Sequence, residues 1–134
     1  MILKTDCRYY KGDRPCSFSK TEGIKCDNCT YYSAIKTKIL VVKLDALGDV
    51  LRTTCLLPSI KEAYPDSFIS WVTLRGAKDV FSNNLYVDEL LFFEDAFTQY
   101  KIMNDEFDIL IHPDASPVSA ALASLVKEIG RAHV

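Results

Sequence analysis

No uninterrupted apolar stretch in this chain approaches the ~18 residues a membrane-spanning helix needs, so none of it is expected to cross a bilayer. The amino terminus, Met1-Ile-Leu-Lys-Thr-Asp-Cys7, lacks the apolar core of a signal peptide. Positive charge is not in excess. The formal net charge is −2, which gives no electrostatic reason to expect a nucleic-acid partner. Internal repeats and low-complexity stretches are absent. Gly-x-Gly-x-x-Gly and Gly-Lys-Ser/Thr are missing too, which argues against a dinucleotide fingerprint and excludes a P-loop. These absences together make the cytoplasm the expected compartment, where cysteines stay reduced.

Composition is that of an ordinary globular protein. Of 134 residues, 49% are hydrophobic and 25% charged, and the length suits one domain. The informative stretch is Lys38-Ile-Leu-Val-Val-Lys-Leu-Asp-Ala-Leu-Gly-Asp-Val-Leu-Arg52. Ile39 to Val42 form the continuous β-branched and leucine run expected of a parallel strand covered on both faces. Asp45 to Asp49 supply turn chemistry, with Gly48 able to take a backbone conformation closed to other residues, and a helix follows. Open α/β sheets bind ligands at the carboxyl ends of such strands. That places the Asp49 carboxylate where it can act on a ligand hydroxyl.

From Lys38 onward strands and helices alternate. Strands are expected at 39–44, 68–74, 89–93 and 108–112, and helices at 48–64, 77–82, 96–104 and 117–127. Pro58 should kink the first helix or mark the start of its regular part. This alternation implies a Rossmann-like parallel sheet with right-handed crossovers. Residues 1–36 read as a separate cysteine-rich segment with little periodicity, and residues 37–128 as the α/β domain. The final six, Ile129-Gly-Arg-Ala-His-Val134, match the translation of a widely used sequencing adapter. The plainer reading of them is a helix cap at Gly130 with a short basic tail. On the adapter reading, Arg131 and His133 carry no function.

The strand–turn–helix resembles the amino-terminal motif of glycosyltransferase family 9, the ADP-heptose:lipopolysaccharide heptosyltransferases. Members carry Ser/Asp-x-x-Gly-Asp followed by a helix beginning Val/Leu-x-x-Thr, which here reads Asp45-Ala-Leu-Gly-Asp49-Val-Leu-Arg-Thr53. The similarity continues through Leu57-Pro-Ser-Ile-Lys-Glu-Ala-Tyr-Pro-Asp66, Ile69-Ser-Trp-Val72, Val87-Asp-Glu-Leu90 and Phe107-Asp-Ile-Leu-Ile111. The resemblance implies the amino-terminal, acceptor-binding half of a GT-B type glycosyltransferase. The complete protein would be an inverting enzyme that moves heptose or a related sugar from a nucleotide sugar to a lipopolysaccharide core or similar glycan. The donor would bind mainly to a carboxyl-terminal domain lying beyond these residues, so this chain alone would be inactive. No catalytic metal is implied. The cytoplasmic face of the inner membrane, with peripheral association, is the implied location.

The family's base falls on Asp49, which would take the acceptor hydroxyl's proton as that oxygen attacks the anomeric carbon. The bland alternative is a carboxylate that stabilises a helix amino terminus. Lys43, Arg52 and Arg75 would surround an anionic acceptor, with Gly48 among the substrate contacts; ordinary surface solubility is the other reading of the basic residues. Asp45 reads as a turn cap. In His112-Pro-Asp-Ala-Ser-Pro117, Asp114 or Ser116 should cap the next helix, with Pro117 at its first position.

Cys7, Cys16, Cys26 and Cys29 form a second constellation, the last two at metal-knuckle spacing. A segment with so little core needs a cross-link to fold. Structural zinc is the expectation, an iron–sulfur cluster on the same four ligands and free thiols being the alternatives. Tyr9, Tyr10, Tyr31 and Tyr32 would cover that metal. Cys55 and Trp71 read as core residues. A different class of function also fits: a metal-binding α/β interaction or regulatory domain without catalysis.

Overall fold

The computed structural model describes the backbone of residues 3–12 and 14–133, with side chains described up to residue 126. The chain divides into two compact units, Met1–Lys36 and Thr37–Val134. No helix among the described residues is long and apolar enough to cross a membrane.

The larger unit is a five-stranded sheet. β1 (Thr37–Val42), β2 (Ser67–Thr73), β3 (Glu89–Phe92), β4 (Glu106–His112) and β5 (Lys127–His133) lie in the order β3-β2-β1-β4-β5. Every pairing is parallel. The run Ile39–Val42 is apolar throughout because both of its faces are covered. Leu40 and Val42 join Val72, Leu91, Ile102, Phe107, Leu110 and Leu122 in one core. Ile39 and Val41 point the other way, into a core with Val50, Leu57, Ile69, Trp71 and Phe81. The period-two alternation of a strand therefore splits one hydrophobic run between two layers. Trp71 is fully buried, as expected.

The helix expected over 48–64 is two helices, α2 (Leu47–Thr53) and α3 (Leu56–Ala63). Pro58 explains the break. It has no N–H to give the carbonyl four residues back, and its ring crowds that same carbonyl, at Thr54. The break also corrects the reading of Cys55, which is exposed because it stands at the junction of the two helices and on neither apolar face. The short helix expected at 77–82 is a 3-10 run at Arg75–Phe81. α4 (Ala96–Asn104) spans the expected residues.

α5 (Pro117–Ser124) stops short of the expected 127. Lys127–His133 instead pair in parallel with Glu106–His112 as β5, which satisfies backbone groups along an otherwise open edge of β4. The side chains of Arg131 and His133 lie outside the described residues, as does Val134.

The amino-terminal ends of the central strands are tied by carboxylates. Asp108 accepts from the Lys38 amide at 2.8 Å, and Asp88 from the Ile69 amide at 2.8 Å. Lys61 reaches Asp88 at 3.3 Å and the Ser67 carbonyl at 2.8 Å.

The smaller unit contains α1 (Ser17–Glu22) and a 3-10 turn at Cys26–Asn28. Gly23 closes α1 in the left-handed conformation, at φ 67°, a role open to glycine because it has no Cβ. An antiparallel bridge between Cys7 and Ala34 joins the ends of the segment. The Arg8 amide donates to the Ser33 carbonyl and the Ile35 amide to that of Asp6, each at 2.8 Å. Phe18 stacks on Tyr31 with centroids 3.9 Å apart and meets Tyr9 edge-on at 4.9 Å. The Tyr32 hydroxyl donates to Asp6 at 2.6 Å.

Two substitutions on the larger unit measure how unevenly its stability is distributed. Leu110→Ala, at a fully buried position between the layers, should cost ~2–5 kcal/mol in urea unfolding. Leu85→Ala, at a residue 94% exposed, should stay within ~0.5 kcal/mol of wild type.

Candidate functional site

The strand order creates a switch point. From β1 the chain steps outward through β2 to β3, then returns to lay β4 against the opposite edge of β1. The loops after β1 and β4 therefore leave neighbouring strand ends in opposite directions, the place where open α/β sheets form a ligand crevice. Asp49 sits on the β1 side of that crevice, in the first turn of α2. Its carboxylate is 47% exposed and pairs with Arg52, one turn along, whose side chain is 79% exposed. The helix itself brings this acid and base together, since residues three apart are neighbours on its surface.

Lys43 and Arg75 do not join them. Lys43 is buried, its Nζ 3.3 Å from Asp114 Oδ1, so it is an internal cation at the base of the turn rather than a group presented to an acceptor. Arg75 begins the segment after β2. Its amide donates to both carboxylate oxygens of Glu94 at 3.0 Å, its guanidinium pairs with Asp95 and lies 4.4 Å over the Phe92 ring. It is thus anchored to the loop after β3.

Asp114 is the residue whose role sequence reasoning missed. Of the two caps expected for α5, Asp114 or Ser116, it is Ser116 that serves, accepting from the Ser119 amide at 3.0 Å, with Pro117 at the first helical position. Asp114 turns to β1 instead. Its Oδ2 accepts from the Leu44 amide at 3.1 Å, while Oδ1 takes the Ala115 amide at 3.0 Å as well as Lys43. Burial pushes this carboxyl's pKa up, but the Leu44 amide and Lys43 outweigh that and hold it below its ordinary value. The available signal was a charged residue, Lys43, directly after a run that must be buried. Such a residue calls for a counter-charge from an adjacent strand end. His112 is buried with Nε2 2.9 Å from Ser119 Oγ, and serves to join β4 to α5.

Two expectations about the turn change. Gly48 lies within α2 and does not have positive φ, so no special backbone conformation demands glycine there. A Cβ would meet nothing within 4 Å, and the position leaves open space beside Asp49. Asp45 is exposed, and the N-cap of α2 is Ala46, with no side-chain cap bond.

With this geometry in place, similarity to known proteins narrows the comparison. No family model matches the chain, and no curated protein matches it. Solved structures do. A glycosyl transferase family 9 protein from Veillonella parvula DSM 2008 superposes with a TM-score of 0.59 and 24% identity, covering 72% of this chain and 33% of that one. The E. coli heptosyltransferase WaaC with ADP gives 0.62 and 23%, covering 69% of this chain and 33% of that one. The same enzyme with ADP-2-deoxy-2-fluoro heptose gives 0.59 and 22%, with 69% and 35% covered. What they share is the fold. It is a Rossmann-like α/β sheet of the topology found in the amino-terminal part of those glycosyltransferases. This chain spans about a third of their length.

The cysteine segment departs from expectation. Cys7, Cys16, Cys26 and Cys29 all line one cavity of about 330 Å³, together with Tyr9, Tyr10, Phe18 and Tyr32. Their thiols are free. Among the described residues, however, no three His, Cys, Asp or Glu side chains gather in a way that could hold a metal ion. This overturns the structural zinc. The physical reason lies in what folds the segment. Cys7 is fixed by its bridge to Ala34, Cys16 by the start of α1, and Cys26 and Cys29 by a separate 3-10 turn. The aromatic cluster and the paired ends supply the cross-links that zinc was invoked to provide.

Two measurements follow. Gly48→Ala should raise stability by ~0.5–1 kcal/mol, because alanine is the better helix residue and the space is open; any loss of ligand binding in this more stable variant would locate a close backbone approach. Asp114 contributes stability that is fully present above its unfolded pKa of 3.8 and is lost as pH falls through the lower folded value. Urea unfolding at about pH 7 and about pH 3 should therefore show the gap between wild type and Asp114→Asn narrowing in acid.

Proposed function

We propose that this chain is the acceptor-side part of an inverting glycosyltransferase of the heptosyltransferase type. The observation that carries the reading is the half-exposed Asp49 carboxylate at the β1/β4 switch point of a sheet shared with the heptosyltransferase structures.

In the proposed reaction Asp49 accepts the proton of an acceptor hydroxyl as its oxygen attacks the anomeric carbon of a nucleotide sugar. The new C–O bond forms opposite the one that breaks, and the nucleoside diphosphate leaves with the bonding pair. Inversion follows from this single displacement. Arg52 has two duties on this reading. Before the acceptor arrives it pairs with Asp49 and holds the carboxylate against α2. A phosphorylated or carboxylated acceptor then competes for the guanidinium and releases the carboxylate to act as base. Arg75, held on the loop after β3 by Glu94 and Asp95, stands apart from this pair and would meet only the outer part of a larger anionic acceptor. Gly48 leaves room for the sugar beside Asp49.

The donor, a nucleotide sugar such as ADP-heptose, would bind mainly to a further domain of the intact protein. The acceptor would be a lipopolysaccharide core or related glycan, met at the cytoplasmic face of the inner membrane.

In the intact protein, Asp49→Asn keeps the shape of the turn and removes the base. Turnover with ADP-heptose and a phosphorylated inner-core acceptor should fall by ~10²–10⁴-fold with donor affinity little changed. Near-normal turnover would leave Asp49 as a helix-terminus carboxylate and defeat the assignment.

A further inference from the structure

We propose that Asp114 is a positioning residue for Asp49. Through the Leu44 amide and the Lys43 ammonium it locks the turn that carries the base onto the end of β4. This inference rests on the reading of Asp49 as base, and adds a residue from a different strand that sets where the base stands.

The argument begins with the peptide groups of residues 43 and 44. The Leu44 N–H donates to Asp114 Oδ2 at 3.1 Å on the β4 side. Its carbonyl accepts from the Thr73 hydroxyl at 3.1 Å and the Leu74 amide at 3.2 Å on the β2 side. Trp71 Nε1 reaches the Lys43 carbonyl at 3.4 Å, and the Lys43 amide donates to the Val72 carbonyl at 3.1 Å. The chain leaving β1 is therefore clamped between both neighbouring strands until Leu44. Only Asp45 separates it from Ala46, whose carbonyl accepts the first bond of α2, from the Val50 amide at 2.9 Å. Any shift of residue 44 is passed to the start of α2, and so to Asp49.

All clamps on the β2 side come from backbone or from neutral side chains. On the β4 side the clamp at Leu44 is a charge, and a charge is an expensive choice for a buried position. A buried ion pair is weak support for stability, since apolar residues of similar volume do as well or better. What Asp114 supplies and an apolar residue cannot is direction. Oδ2 is committed to an amide of the site turn, and Oδ1 to the cation next to it as well as to the Ala115 amide of its own loop. The capping of α5 does not need Asp114, because Ser116 performs it. Two of its three bonds thus go to the turn after β1. Displacement of a catalytic group by about 1 Å can cost ~10²-fold in rate, so a clamp of this kind is enough to govern turnover without touching substrate.

The test uses the intact protein with ADP-heptose and a phosphorylated inner-core acceptor, with far-UV circular dichroism confirming that each variant is folded at the assay temperature. Asp114→Asn should lower kcat by ~10–100-fold while the acceptor KM stays within ~3-fold. In an Asp49→Asn background the same change should have no further effect on kcat, because a turn can position only a base that is present. Where Asp114→Asn does not fold, Lys43→Met, which conserves length and volume, takes its place in the cycle with the same expectations. A folded variant with wild-type kcat, in a protein where Asp49→Asn is impaired, overturns the positioning role and leaves the base intact. Losses that multiply fully in the double variant also overturn it, because they assign Asp114 a separate task. Unimpaired turnover in Asp49→Asn instead overturns the base reading itself, and the positioning role with it.

Discussion

Parallel pairing on both edges of β1 is the constraint from which the rest of the larger unit follows. A strand with two neighbours and two covered faces has no solvent to satisfy its polar groups, so every backbone donor and acceptor must go into the ladder or to a side chain. That burial accounts for the unbroken apolar run Ile39–Val42 and for its division between two cores. It also explains the carboxylates at the strand ends. Asp108 takes the Lys38 amide where β1 begins, and Asp114 takes the Leu44 amide just after it finishes. Both come from β4 or its following loop, so one neighbouring strand closes β1 at each end.

The crevice at the carboxyl edge is a by-product of the same arrangement. Because β2 and β4 lie on opposite sides of β1, the chain must reverse its direction of travel across the sheet, and the loops part where it does so. Charged groups at this edge fall into two kinds. Lys43 and Asp114 are buried and paired, in surroundings where an unpaired charge would be costly. Asp49 and Arg52 are exposed, so water screens their attraction and a ligand can exchange for either partner. The buried pair is therefore suited to hold the turn, and the exposed pair to exchange partners.

The smaller unit shows how a plausible metal pattern can have another physical basis. Four cysteines in a short segment with little aliphatic core suggested a zinc cross-link. Stacked Phe18 and Tyr31, the edge-on Tyr9 and the bridged ends hold the segment without one. The rings stay partly exposed, Tyr9 at 36% and Tyr31 at 39%, so they join the segment by ring-to-ring contact rather than through a buried core.

The alternation of strands and helices, the parallel sheet and the covering of Ile39–Val42 on both faces were legible in the sequence because they depend on periodicity and burial of local runs. So was the placement of Asp49 at a strand's carboxyl end, which needs only the order strand, turn, helix. The split of the first long helix was half legible, since Pro58 signalled a disturbance but not that Cys55 would be left exposed. Pairings between distant residues were decided by the tertiary structure alone. Nothing near Lys43 in the sequence names Asp114, 71 positions away, and nothing near Arg75 names Glu94 or Asp95. Those contacts exist because strand order sets which loops become neighbours, and strand order is fixed by the packing of the whole sheet. The cysteines make the same point from the opposite side. Spacing brings four thiols to one cavity, but whether they converge on a single ion depends on where an aromatic cluster places the backbone.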